Sequence, residues 1–146
     1  MTLAILHRDD LNSDIQIQIT KLYKQLNSDI EQLSIKQMLK DEAGPIFVIC
    51  TDGEAIMGIA LMAMYKVISG HKGIIEDVIV DKKYRGKGIG RKLLEKLLLE
   101  GRKRNLDEIL LFSGHHRHAA ISLYKSLGFE LKESGLYRLL LDDENF

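Results

Sequence analysis

Apolar positions recur along this chain with two periods, and the switches between them mark its elements. Residues 2–7 read as a short strand. Ile15, Ile19, Leu22, Tyr23 and Leu26 repeat at helical spacing, although Ile15-Gln16-Ile17-Gln18-Ile19 alone alternates like a strand. The longer pattern, with Asn12-Ser13-Asp14 as caps, predicts a helix over 11–26. Ser28 and Glu31 stand at capping-box spacing and predict a second helix from 28 to 42, ended by Gly44-Pro45. Strands follow at 46–51 and 55–67, joined by the hairpin signal Asp52-Gly53, with Gly58 as a bulge candidate. Ser69-Gly70-His71 turns the chain into a third β-rich run, Ile74 to Val80. Ile89, Leu93, Leu94, Leu97 and Leu98 then repeat at helical spacing, a helix that runs to Arg104 and exits at Asn105. A strand over 108–113 precedes a helix with Ala120, Leu123, Tyr124 and Leu127 on one face and Gly128 at its exit. Phe129–Glu133 and Leu136–Leu141, around Ser134-Gly135, predict a closing hairpin. The order is β-α-α-β-β-β-α-β-α-β-β: an α/β protein whose mixed sheet carries helices packed on it.

The junction between the 74–80 strand and the helix after it departs from ordinary helix starts. A first turn favours a Ser, Thr, Asp or Asn cap and acidic residues, because it carries unpaired amides and partial positive charge. Here it offers Gly86, Gly88 and Gly90, flanked by Arg85, Lys87, Arg91 and Lys92. Cations at the positive end of a dipole repel by a few tenths of a kcal/mol, roughly, each. An anion from outside resolves the conflict: glycines let backbone approach, and the amides and cations close around it. The plainer alternative is a solvated basic face. Neither G-x-x-x-x-G-K-[ST] nor G-x-G-x-x-G fits, because Arg91 stands where the third glycine of the latter would be.

Composition narrows the setting. The 146 residues suit one domain spanning 1–146, with 45% hydrophobic and 29% charged residues. Twenty-one basic residues balance 21 acidic ones, which argues against a general nucleic-acid binder. Cys50 is the only cysteine, so no internal disulfide forms; it sits in an apolar run and reads as core. The N-terminus lacks the pattern of a signal peptide, and no run reaches membrane-spanning length, so a cytoplasmic protein that engages no membrane is expected. His115, His116 and His118 lie on one loop without the Cys or acidic spacing of a metal site, and no metal is expected.

Arg85-Gly86-Lys87-Gly88-Ile89-Gly90 has the form [QR]-x-x-G-x-[GA], and Val80 to Tyr84 leads into it. This stretch resembles the pyrophosphate-binding loop of the GNAT superfamily of acyl-CoA-dependent N-acyltransferases. Ala120 to Phe129, with its Leu-Tyr and Gly-Phe pairs, resembles that family's second motif. The predicted element order is also that of the GNAT fold. Arg117 stands where many members carry asparagine, so that asparagine's contact does not carry over, although arginine also occurs there and can contact the cofactor. Ile75-Glu76-Asp77-Val78 is similar to glucosamine-6-phosphate N-acetyltransferases, but the second motif differs from theirs.

The resemblance implies acetyl-CoA as cosubstrate and an amine acceptor, from a small molecule or a peptide. It places the pyrophosphate on Arg85, Gly86, Lys87, Gly88, Ile89 and Gly90, with Arg117 and Tyr124 as further cofactor contacts. The pantetheine arm would run along Val78, Ile79 and Val80 like an added strand, and an amide near Val78 would polarise the thioester carbonyl. For these aliphatic side chains a core role holds at the same time, since only their backbone need touch the cofactor. Tyr124 becomes the general acid toward the departing sulfur; periodicity alone makes it a half-buried helix tyrosine. A primary amine with a pKa of about 10 needs its proton removed, and a strand carboxylate can take it. Glu76 and Asp77 are the candidates, adjacent on a strand so that only one faces the cleft, and the resemblance favours Glu76. A solvated edge carboxylate is the alternative. Acetyl transfer to a protein terminus or lysine, and a non-catalytic coenzyme sensor, are the competing functions. Members of the family are often dimers, which extends to a homodimer here.

Overall fold

The computed structural model describes residues 1–141. It divides into two compact units, the first running from Met1 to Gly114 and the second beginning at His115; each is described by itself.

The first unit is a five-stranded sheet in chain order: β1 (Thr2–Ile5), β2 (Ile46–Asp52), β3 (Ala55–Val67), β4 (Gly70–Val80) and β5 (Glu108–Leu111). The first four strands pair antiparallel, and β5 joins β4 in parallel after a helical crossover. Helix α1 (Ser13–Leu26) begins where Asn12 accepts the Ile15 amide, so the helical spacing prevails over the short strand-like alternation. It lies against β3 and β4, while α3 (Ile89–Lys103) packs against β2, β3 and β4. Strand pleating divides β2 between the two sets of contacts. Phe47 and Ile49 join Ile19, Leu22, Ile59 and Ile79 in one cluster, whereas the intervening Val48 and Cys50 are fully buried. Burial raises the Cys50 thiol pKa, opposed by the charges of Lys92 and the N-terminus.

Two expectations fail. The second helix, α2, spans only Ile35–Lys40, because Ser34 rather than Ser28 caps it by accepting the Gln37 amide. The closing hairpin is not formed: residues 129–141 contain no strand. Strand propensity becomes a strand only in a paired ladder, and a lone hairpin is marginal in water. Leu131, Leu136 and Leu139 are accordingly exposed.

The sheet carries two bulges. Cys50 pairs with Gly58 and Thr51 with Ile56, leaving Met57 extra beside the glycine suspected from sequence. In the second, Ile59 pairs with Ile79 and Leu61 with Glu76, so Ala60 faces both Asp77 and Val78.

Candidate functional site

The site grows from the junction of β4 and α3. A short 3-10 turn, Lys82–Tyr84, is capped by Asp81, whose carboxylate accepts the Lys83 amide. The glycine run follows. Gly86 has φ 79°, and Gly88, the N-cap of α3, has φ 78°. No side chain caps this helix and its first turn holds no acidic residue. Helix geometry leaves the first amides, Ile89 and Gly90 among them, without intrahelical acceptors. Ile89 is buried and fixes the helix start to the sheet. Gly58 permits that contact: a Cβ there would meet the Ile79 carbonyl and the Ile89 and Leu93 side chains, each at 3.1 Å.

The cations around the loop are already oriented. Arg85 Nε donates to the Val80 carbonyl at 3.0 Å, tying the loop to the end of β4. Lys87 Nζ sits over the Tyr84 ring, 5.6 Å from its centroid. Arg91 pairs with Glu95 at 2.8 Å. The donors suit an anion that accepts several hydrogen bonds: free helix amides, a backbone without Cβ atoms, and fixed positive charge.

Beside the loop, β4 offers an open edge. Strand β5 pairs with it from Lys72 to Ile75 and stops there. From Glu76 to Val80 the β5 side of β4 has no strand neighbour among the described residues. The Asp81 amide bonds Met57 of β3, so Val80, one residue earlier on the pleat, directs its peptide groups to the open side. Ile79 is buried in the core.

The bulge alters the carboxylates. Asp77 takes φ 54°, a left-handed conformation that few residues other than glycine adopt readily. The bulge breaks the alternation after Glu76, and Glu76 and Asp77 are both exposed. Partial burial raises the Asp77 pKa from its ordinary value.

Sequence reasoning missed the part played by α1. Tyr23 shares the helical spacing of the apolar face, yet its hydroxyl donates to the Asp77 carbonyl at 3.0 Å. Burial first, and the Asp77 charge second, raise the Tyr23 pKa well above normal, which keeps the phenol protonated. Gln25 accepts the Lys82 amide at 3.1 Å and donates to Asp81 at 3.4 Å. A tyrosine on an otherwise aliphatic helix face was the only signal available.

The second unit contains Arg117 and Tyr124. Arg117 is the exposed N-cap of α4 (His118–Ser126), with no side-chain cap bond. The Leu-Tyr and Gly-Phe pairs make local sense there. Gly128, at φ 97°, turns the chain so that the Phe129 amide bonds the Tyr124 carbonyl at 3.1 Å. The two rings then meet edge to face, centroids 6.2 Å apart. Tyr124 is half-buried, and His115, His116 and His118 are exposed. Among the described residues no group of three or more His, Cys, Asp or Glu side chains is arranged to hold a metal. No helix among them is long and apolar enough to cross a membrane.

The sequence pattern of the acetyltransferase (GNAT) family matches residues 10–129, most of the chain. The chain belongs to that family. The GNAT-related protein named GCN5-related N-acetyltransferase 2, chloroplastic, of Arabidopsis thaliana is 34% identical over 87 residues, 58% of this chain and 33% of that protein. The chain thus spans about a third of the length of this and two other curated relatives it matches. The glucosamine 6-phosphate N-acetyltransferase of Trypanosoma brucei brucei is 27% identical over 137 residues, 91% of either chain. An aminoglycoside acetyltransferase from an uncultured soil metagenomic sample, solved in complex with trehalose, shares the GNAT fold at a TM-score of 0.80. It is 17% identical, over 96% of each chain.

Proposed function

We propose that this GNAT chain, acting as one domain over residues 1–146, transfers the acetyl group of acetyl-CoA directly to the primary amine of a small molecule. One observation carries the reading: an uncapped, cation-flanked glycine start of α3 lies in sequence directly after an unpaired strand edge. The first feature fits a diphosphate and the second fits an extended amide-containing arm, which is the chemistry of a coenzyme A tail. Arg85 through Gly90 would hold the diphosphate, Ile89 through its backbone only. Val78 and Val80 would pair with the arm, with Ile79 anchoring the strand between them. Arg117 is a further candidate contact for the coenzyme.

The coenzyme, when bound, supplies an acyl group activated as a thioester. The residues of the chain then handle protons and polarity. The Val78 amide, out of the β3 ladder register at the bulge, is the donor for the carbonyl oxygen. Glu76 takes the proton from the ammonium group, directly or through water. The Tyr124 hydroxyl holds the proton destined for the departing sulfur. Direct transfer is favoured because Cys50 is fully buried and cannot serve as an acyl carrier. A relative matched over 91% of either chain is named for glucosamine 6-phosphate, a small amine, which favours a small acceptor over a protein.

The test is thiol release from acetyl-CoA across a panel of amines, with coenzyme binding measured by calorimetry. Turnover on at least one small amine is expected. Tyr124→Phe should bind the coenzyme normally and turn over about 100-fold more slowly, the usual scale of a lost general acid. Absence of coenzyme binding would overturn the proposal, and binding without turnover on any amine would leave a sensor as the better reading.

A further inference from the structure

The bulge in β4 is held from outside its own sheet. Asp77 is one of two non-glycine residues with positive φ among those described, and it lies on the strand segment beyond β5. Such a conformation persists where surrounding structure over-determines it, and such strain clusters at working sites. The neighbours that over-determine it come from α1. The Tyr23 hydroxyl bonds the Asp77 carbonyl, and two residues along the helix Gln25 bonds both Asp81 and the Lys82 amide. Segment 77–82 is therefore pinned near both ends, across 54 to 57 residues of sequence. No residue of β3 has Asp77 or Val78 as its register partner, so the ladder on that side does not fix the peptide between them. Among the described residues no hydrogen bond reaches the Asp77 carboxylate, so its own side chain does not hold the turn.

We infer that Tyr23 is a positioning residue for acyl transfer: its hydroxyl, donating to the Asp77 carbonyl, holds the bulge so that the Val78 amide stays aimed across the open edge of β4. This rests on the acetyltransferase reading given above and adds to it a residue from a different element. Tyr23 touches neither coenzyme nor acceptor in this role. Its removal should change how well the carbonyl is polarised, and leave the diphosphate loop intact.

The decisive comparison uses Tyr23→Phe, which keeps the ring and deletes the hydroxyl, in two backgrounds. In the otherwise native chain kcat should fall roughly 10-fold, the scale of a small misalignment of reacting groups, with the KM for acetyl-CoA within twofold of wild type. Backbone hydrogen exchange should accelerate at 77–78 and stay unchanged in β2 and β3. In an Asp77→Gly background, where glycine adopts the left-handed conformation without help, Tyr23→Phe should cost less than twofold in kcat. That dependence separates positioning from general destabilisation, which would act equally in both backgrounds. An unchanged kcat in Tyr23→Phe, or an equal loss in both backgrounds, overturns the inference while leaving the acetyltransferase reading standing. A wild-type chain that binds acetyl-CoA and acetylates nothing overturns that reading, and this role for Tyr23 with it.

Discussion

Replacing Gly88 with alanine separates the backbone requirement of the glycine loop from its space requirement. A Cβ at Gly88 would meet nothing within 4 Å, so Gly88→Ala introduces no clash. Its cost lies in the φ of 78°, a left-handed conformation that penalises a Cβ by roughly 1–2 kcal/mol. The restricted unfolded chain returns about 0.4–1 kcal/mol. The net loss is about 1 kcal/mol, or a fall in Tm of roughly 2–4 °C for a chain of this size. Binding should suffer more than stability. If the mutant escapes strain by rotating the N-cap peptide, one or two amides turn from the anion, and each charged hydrogen bond is worth about 1.5–3 kcal/mol. Coenzyme affinity should fall by at least ~10-fold. Gly88→Asn is the companion, since asparagine tolerates this conformation and should recover most of the Tm. Calorimetric titration with coenzyme A and thermal unfolding followed by circular dichroism give both numbers. Gly88→Ala with wild-type Tm and wild-type affinity would refute the reasoning, because neither the left-handed cap nor its amides would then matter.

Gly58→Ala tests the opposite case, a glycine needed for room. Its Cβ would press on the Ile79 carbonyl as well as two side chains at 3.1 Å, and backbone cannot swing aside. A loss of about 1–3 kcal/mol is expected in chemical denaturation, with weaker coenzyme binding as the start of α3 lifts. Glu100 is buried among Lys96, Lys103 and Arg104. Burial raises its pKa, but hydrogen bonds from Arg104 and Lys96 and the charges of Lys103 and Lys96 outweigh that, and the net shift is downward. Its contribution to stability is therefore complete above the unfolded value of about 4.3 and is lost as pH falls through the lower folded value. Glu100→Gln should cost about 1–3 kcal/mol at pH 7 in urea unfolding and flatten the loss of stability below pH 4.

The parts of this fold legible in the sequence are those in which local chemistry and tertiary context agree. The helix spacing from Ile15 to Leu26 and the Asp52-Gly53 turn were each readable from a few neighbours. So was the glycine start of α3, because a missing cap beside cations is a local contradiction. The illegible parts depend on partners distant in sequence. Ser28 and Glu31 had the right spacing, yet Ser34 captured the cap. Phe129 to Glu133 alternates, yet no strand forms there. The irregular register at Asp77 and Val78 was hidden, because a bulge without glycine leaves no trace in the sequence. Aspartate tolerates the left-handed region, but that tolerance is too common to signal anything. Tyr23 looked like core because its partner is a main-chain carbonyl, which no side-chain pattern reveals.

The strand order has a kinetic consequence. Strands β1 to β5 lie side by side in the order in which they occur along the chain. The β2–β3 and β3–β4 contacts close through short turns, so loop-closure entropy is small and these pairings can form early. The step from β4 to β5 requires the crossover through α3, a later and more costly closure. The glycine loop is the first part of that crossover, and the open edge of β4 is bounded by where β5 stops. The meander can therefore be complete while the anion site does not yet exist. Competence to bind should appear with the last kinetic phase of refolding, and added ligand should slow unfolding more than it speeds folding.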